Sequence, residues 1–262
     1  MAWINLPFLL AAAATQPATQ PTTQPSAFEG MPSGMLFWII LLAAMAMAPF
    51  VLTMTTSFAK LVVVGSMLRH ALGTQQIPPT TVITGLALIL TVHIMSPVAV
   101  KIYDNYQKRA AADTAAGVAA TPVSVLSRIV DSARPPIEEF LQKHSNRQNI
   151  ALFERLHGKL QKANNLPASK RSDFAQPWGQ LIDDATILAP AFILTELTEA
   201  FQIGFLIFVP FLVIDLVVSN ILLAMGMHML SPITISMPLK LLLFVMIDGW
   251  KLIIQGLVLG YT

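Results

Sequence analysis

The chain has 262 residues, of which 55% are hydrophobic and only 11% are charged, and its mean hydropathy is +0.65. Since about a quarter of the residues in an average soluble domain are charged, this composition is typical of a membrane protein. The net charge of +2 is small and no basic run accompanies it, which argues against nucleic acid as a partner. The absence of cysteine excludes disulfides and thiolate chemistry.

The first 34 residues are expected to contribute little to the folded core. Residues 1–14 form a short apolar run that ends in alanines, which fits either a signal peptide or an uncleaved lead segment. Residues 15–34 are rich in Thr, Gln and Pro, so we expect a disordered linker.

Residues 35–100 are predicted to form a first block of hydrophobic helices. Their first apolar run, 35–52, has close to the roughly 20 residues that a spanning helix needs, and Pro49 is expected to kink or end it. A second run reaches Leu72, and a third covers 80–100 and ends near Pro97. Between them, Gly73 and two prolines at 78–79 predict a helix end followed by a turn.

Residues 101–185 differ in kind from the flanking blocks, because 12 of the 16 basic and nine of the 14 acidic residues lie within them. Apolar residues recur at helical spacing in 136–142 and 149–156. This segment is therefore predicted to be a small, water-facing helical insert.

Residues 186–262 are predicted to form a second hydrophobic block. Pro190 and Pro210 are expected to break its long first run, and 239–259 is predicted to be the last helix. The two blocks contain ionisable residues, each of which costs about 2.5 to 3.5 kcal/mol at the centre of a membrane helix. We expect most of them to face protein partners or water. They are Lys60, Arg69, Glu196, Asp215, Lys240 and Asp248.

No catalytic or cofactor-binding pattern is present, and we predict that the protein is not an enzyme and needs no cofactor. The adjacent acidic pairs 138–139 and 183–184 do not face one another on a helix. The five histidines lack metal-ligand spacing, and no phosphate-binding loop occurs.

A cluster of Met227, His228 and Met229 lies where the second hydrophobic block is expected to turn. Thioethers and imidazole suit copper(I), whereas methionine also fills irregular gaps in ordinary packing. A third interpretation is a hydrophobic constriction, formed when several copies of the cluster converge on one axis. The residues alone leave all three open.

Several longer motifs in the two hydrophobic blocks are specific enough to indicate a family. They are TMTTSFAKLVVV (53–64), MLRHALGTQQIPP (67–79), AFQIGFLIFVPFLVIDLVVS (200–219), AMGMHM (224–229) and PLKLLLFVMIDGW (238–250). Together they resemble the FliP/SctR export-gate proteins of bacterial type III secretion and flagellar assembly. The stretches at 73–79 and 217–225 favour the injectisome branch, SctR/YscR/HrcR, over the flagellar branch.

This resemblance implies an assembly in the bacterial inner membrane. In the family, five copies join two smaller membrane proteins, SctS/FliQ-like and SctT/FliR-like, to open a path for unfolded polypeptides. The resemblance therefore implies an all-α membrane protein whose proline-broken helical hairpins pack in a homopentameric, helical export gate. It also implies that the polar insert and much of the complex lie on the periplasmic side.

The resemblance further implies that Met227, His228 and Met229 form the seal of the pore. His228 stands where the family usually has a methionine, so we hypothesise a resting leak that depends on pH. Long apolar helices leave charges few partners, so we predict that Lys240 and Glu196 pair between adjacent subunits, with Arg69 as a further candidate. The remaining predicted buried charges are Lys60, Asp215 and Asp248.

The alternative from another functional class is a polytopic transporter for a small solute or for copper. Such a protein works as a monomer or dimer and binds its ligand stoichiometrically. A gate subunit forms a fixed ring and binds nothing small.

Overall fold

A computed structural model of the chain describes residues 33–74, 78–117, 121–163 and 179–262. The predicted lead segment, 1–14, and nearly all of the predicted linker lie outside the described residues. The chain divides into two units, Met1–Ala43 and Ala44–Thr262. All regular secondary structure in the described ranges is helical, which confirms the predicted all-α class.

The described residues form eight helices. They are α1 (Ser33–Thr55), α2 (Phe58–Ala71), α3 (Thr80–Ala115), α4 (Pro122–His144), α5 (Arg147–Ala163), α6 (Gly179–Ala224), α7 (Pro232–Met246) and α8 (Gly249–Leu259). The predicted turn at 73–79 separates α2 from α3, and Gly73 there has a φ of 76°. The predicted helical patches at 136–142 and 149–156 lie within α4 and α5.

The described residues of the polar segment 101–185 belong to the same unit as the apolar helices α2, α7 and α8. The boundary expected at 100/101 falls inside α3, and the boundary expected at 185/186 falls inside α6. α4 lies along the second half of α3, where Lys101 pairs with Glu139 at 2.8 Å and Arg128 pairs with Asp113 at 2.8 Å. α3 therefore continues past its apolar half because its polar half has a partner helix.

The prolines do not end the helices where the sequence predicted an end. Pro49 lies inside α1, Pro97 inside α3, and Pro190 and Pro210 inside α6. A proline removes one backbone hydrogen bond, but packed helices commonly tolerate this loss when neighbouring groups satisfy the freed carbonyl. Proline position thus does not mark the ends of these helices.

Two sharp bends occur at other positions. The end of α1 and α2 meet at 81°, and α7 and α8 meet at 60°. The second bend shows that the single helix predicted for 239–259 is wrong. Asp248 interrupts it in the left-handed conformation, with φ 52°. The bend brings the Phe244 ring so close to Gly249 that a Cβ there would lie 2.2 Å from the ring.

Two helical stretches, Thr80–Ala115 and Thr186–Ala224, are long and apolar enough to cross a membrane. Each of the two bent pairs passes the same test of length and composition when taken as one span. At 1.5 Å per residue, the 39-residue stretch of α6 is about 58 Å long, roughly twice the thickness of a bilayer core. This stretch is therefore longer than one straight crossing of a bilayer needs.

The core lies where α2 packs between α3 and α6. Val64, Phe192 and Ala200 are fully buried there, and Leu61 and Ala87 are nearly so. This packing places the one buried lysine of α2, Lys60, against α6.

Candidate functional site

The first notable site is a buried charge cluster between α2 and α6. The Lys60 ammonium group lies 2.6 Å from Glu199 Oε2 and 3.3 Å from Glu196 Oε2. The side chains of Lys60 and Glu196 are only 4% and 1% exposed, whereas that of Glu199 is 48% exposed. Glu196 and Glu199 are three residues apart on α6 and thus share one helix face.

Tyr261 completes this cluster from the segment that follows α8. Its hydroxyl donates a hydrogen bond to Glu196 Oε2, and the Lys60 Nζ lies 4.5 Å from the centroid of its ring. Burial raises the pKa of Tyr261, and the neighbouring Glu196 carboxylate raises it further. The hydroxyl therefore stays protonated and acts as a donor at every physiological pH.

The cluster retains one unused acceptor. Glu196 Oε1 is buried and has no hydrogen-bond partner among the described residues. An unpaired buried acceptor is costly, since it loses water and gains nothing in return. Glu196 is thus able to accept one further donor.

A second charge cluster connects α6, α7 and the end of α2. Lys240 Nζ lies 2.6 Å from Asp215 Oδ2 and donates to the carbonyl oxygen of Ala71 at 3.3 Å. Ser236 donates to the other carboxylate oxygen of Asp215 at 2.5 Å. Ala71 is the last residue of α2, where the helix dipole favours a positive charge.

The predicted Lys240–Glu196 pair is not formed within one chain, because each of the two residues has another partner. Pairing between neighbouring subunits stays a prediction. Arg69 Nη1 donates to Thr80 Oγ1 at 2.7 Å, at the start of α3. Lys60 is buried, Asp215 is half-buried and Asp248 is exposed in this chain.

Three members of the two charge clusters were not among the site residues predicted from the sequence. They are Glu199, Ser236 and Tyr261. The i, i+3 spacing of Glu196 and Glu199 was a usable signal, because the pair needs a shared cation on an apolar helix. Ser236 and Tyr261 carry no such signal. Each contacts a carboxylate on another element, and Tyr261 is 65 residues from Glu196 in sequence.

The methionine cluster lies in the loop that joins α6 to α7. Gly226 has a φ of 71°, its N–H donates to the Leu223 carbonyl at 3.1 Å, and the N–H of Met227 donates to the Leu222 carbonyl at 3.0 Å. These two bonds are the Schellman arrangement that ends a helix with glycine in the left-handed conformation. Pro232 then begins α7, so the loop is fixed at both ends.

The side chains of this loop project away from the chain. Met229 is 99% exposed, Met227 is 42% exposed, and His228 is also exposed. Packing within one chain therefore does not explain the cluster. In the described part of the chain, no three His, Asp or Glu side chains are arranged to hold a metal ion.

The comparisons identify related proteins over most of the chain. A model of the FliP family matches residues 41–257. Yop proteins translocation protein R of Yersinia pestis is 43% identical over 223 residues, which cover 85% of this chain and 94% of that protein. Hypersensitivity response secretion protein HrcR of Ralstonia nicotianae is 41% identical over 223 residues, covering 85% and 95%. Flagellar biosynthetic protein FliP of Pectobacterium carotovorum is 36% identical over 235 residues, covering 87% and 82%.

Replacing Lys60 by methionine tests the first cluster. The substitution keeps most of the apolar stem but leaves Glu196 buried without its cation, so we expect a loss of about 3–5 kcal/mol in stability. The measurement is thermal unfolding of the detergent-purified protein. As a matched control, Lys101→Met removes a solvent-exposed pair and should cost at most about 1 kcal/mol. Equal stability losses in the two variants would contradict the assignment.

Proposed function

We propose, because this chain belongs to the FliP family, that it is a core export-gate subunit of a bacterial type III secretion system. The observation that supports this proposal most strongly is the family match over residues 41–257. The matched range contains the methionine loop and both charge clusters except Tyr261. Two relatives named for translocation and secretion are more similar to this chain than the flagellar relative, which supports the injectisome branch. The apolar helices support a location in the inner membrane.

The subunit acts in a ring of five copies together with two smaller membrane proteins of the export apparatus. Exposed apolar side chains support such an assembly, because one chain alone leaves them without protein contacts. Examples on α6, α7 and α8 are Leu206 at 70%, Val245 at 71% and Leu252 at 63% exposure. α6 and α7 form the helical hairpin that this ring packs, and the polar insert stands on the periplasmic side.

The loop between α6 and α7 is the resting seal of the pore. The fixed loop ends support this role, since they hold Met227 and Met229 in one place rather than letting them fold back onto the chain. Five such loops around one axis exclude water and thereby block ions. Opening the ring lets unfolded polypeptides pass, and other components supply the energy.

Site-specific cross-linking tests the convergence of the loops. Because the chain has no cysteine, Met229→Cys introduces a single thiol. If the loops meet at the axis, oxidation in membranes should join chains in pairs. The matched control is Met246→Cys, an exposed methionine 75% accessible to solvent and about 20 Å along α7 from the loop. Dimer yields no higher for Met229→Cys than for the control would contradict a shared seal.

We further propose that Lys240 and Glu196 attract each other across neighbouring copies. Glu196 Oε1 has no hydrogen-bond partner among the described residues, but the Glu196 and Lys240 side chains are only 1% and 5% exposed, so pairing across copies requires both side chains to turn outward when the ring assembles. Within the chain, Lys60 already pairs with Glu196, and Asp215 already pairs with Lys240. These pairs neutralise part of each charge and so set how strongly Lys240 and Glu196 attract each other across copies.

A charge exchange separates the pairing between subunits from the pairing within the chain. If Lys240 and Glu196 pair between copies, Lys240→Glu combined with Glu196→Lys should partly restore the ring lost in either single variant. The control is Lys240→Asp with Asp215→Lys, which exchanges the pair inside the chain and should restore thermal stability. Ring content is measured by native gel electrophoresis. No restoration by the first exchange would count against pairing between copies.

The histidine at 228 gives the seal its proposed pH dependence. Imidazoles that take up protons at low pH bring charge to the narrow axis, and this charge rehydrates an apolar constriction. We expect vesicles containing the assembled gate to leak ions faster at about pH 5.5 than at about pH 8. His228→Met should remove the difference. Equal leakage of the unmodified gate at both pH values would refute this role of His228.

A further inference from the structure

His144 lies at the junction of the polar insert with the apolar helices. It is the last residue of α4, it is half-buried, and both of its ring nitrogens face backbone carbonyl oxygens. Nδ1 lies 2.9 Å from the carbonyl oxygen of Phe140, and Nε2 lies 3.4 Å from that of Tyr261. The rings of Phe140 and Tyr261 enclose the imidazole, with centroid distances of 4.4 and 5.3 Å.

This arrangement favours the doubly protonated ring. A neutral imidazole has one N–H and one lone pair, so it donates to only one of the two carbonyls and turns its lone pair toward the other. An imidazolium donates through both nitrogens and satisfies both carbonyls at once. The geometry therefore distinguishes between the two protonation states.

We propose that His144 is a proton-dependent clamp that fastens the backbone of Tyr261 to the end of α4. Uptake of the second proton closes the bond from Nε2 to the Tyr261 carbonyl, and its release opens that bond. The clamp is a conformational device of the fold and does not rest on the export function.

The charges on α4 have opposite effects on the protonated form of His144. The C-terminal end of a helix favours a cation, and His144 occupies that end. Lys143, the preceding residue, disfavours a second positive charge on His144. Its Nζ, however, donates to the carbonyl oxygen of Thr262 at 3.4 Å. Glu139 favours the cation but is paired with Lys101 of α3.

Charges from the other packed elements largely offset one another. Lys60 of α2 and Glu196 of α6 contact the Tyr261 side chain and pair with each other. Arg147, the first residue of α5, is exposed to solvent. The two facing carbonyls thus remain the main difference between the charged and neutral rings.

A cavity gives protons access to the ring. It has a volume of 170 Å³ and is lined by His144, Lys101, Glu139, Lys143 and Tyr261 together with apolar residues of α3 and α4. Because this cavity holds charged groups and opens to the surface, water can exchange protons with His144.

The clamp transmits its state to the buried charge cluster. The Tyr261 backbone contacts His144, while its side chain donates to Glu196 and covers Lys60. Only the folded chain places the Tyr261 carbonyl opposite Nε2, so the clamp stabilises the protonated ring. Its contribution is therefore present at low pH, where the ring carries both protons, and is lost as pH rises and the second proton leaves.

Hydrogen exchange at the end of the chain tests the clamp. The amides of Tyr261 and Thr262 bond to the carbonyls of Val258 and Leu259 at 3.1 and 3.3 Å. Their protection is measured by mass spectrometry on the peptide covering 250–262, relative to the same peptide unfolded at each pH. We expect protection several-fold higher at about pH 5.5 than at about pH 8.

Two variants make this test specific. His144→Gln cannot gain a proton in this range, so its protection should not change with pH. His93→Gln removes an exposed histidine of α3 and should keep the trend of the unmodified protein. Protection that is independent of pH in the unmodified protein overturns the proposal, and so does a trend that persists in His144→Gln. If His144→Gln does not fold, protection that is independent of pH in the unmodified protein still overturns the proposal.

Discussion

The buried contact of Lys60 with Glu196 and Glu199 is the interaction on which the rest of the structure depends. α2 has only 14 residues, so it is too short to be a stable helix without tertiary contacts. A lysine inside an apolar core is tolerated only when it is paired, which restricts α2 to the register that places Lys60 opposite the two glutamates. Tyr261 then ties the end of the chain, and through it α4, to the same point.

The second charge cluster fixes the other end of the same helix. Lys240 lies at the C-terminal carbonyl of α2 and holds Asp215 of α6, so α2 is attached to α6 near both of its ends. α7 approaches α6 through this contact, and the loop between them must turn within a few residues. Gly226 permits that turn, and the methionines consequently project from a rigid support.

The sequence predicted the all-helical class correctly, because hydropathy reports which residues avoid water. It failed at helix ends, since backbone continuity depends on tertiary partners that hydropathy does not describe. α3 continues beyond its apolar half because α4 packs along its polar half. α6 continues without a break through Pro190 and Pro210. The sequence also identified Lys240 and Glu196 as charges in need of partners. It could not select those partners, because Asp215 and Lys60 are chosen by packing.

Native mass spectrometry of the detergent-purified protein, with copper measured in the same sample, tests the proposed gate most directly. We expect a five-copy assembly free of copper, in which the loop at 226–230 is shared among copies. A monomer or dimer that carries copper stoichiometrically would contradict it. In that case Met227, His228 and Met229 would be ligands of a transporter rather than a seal.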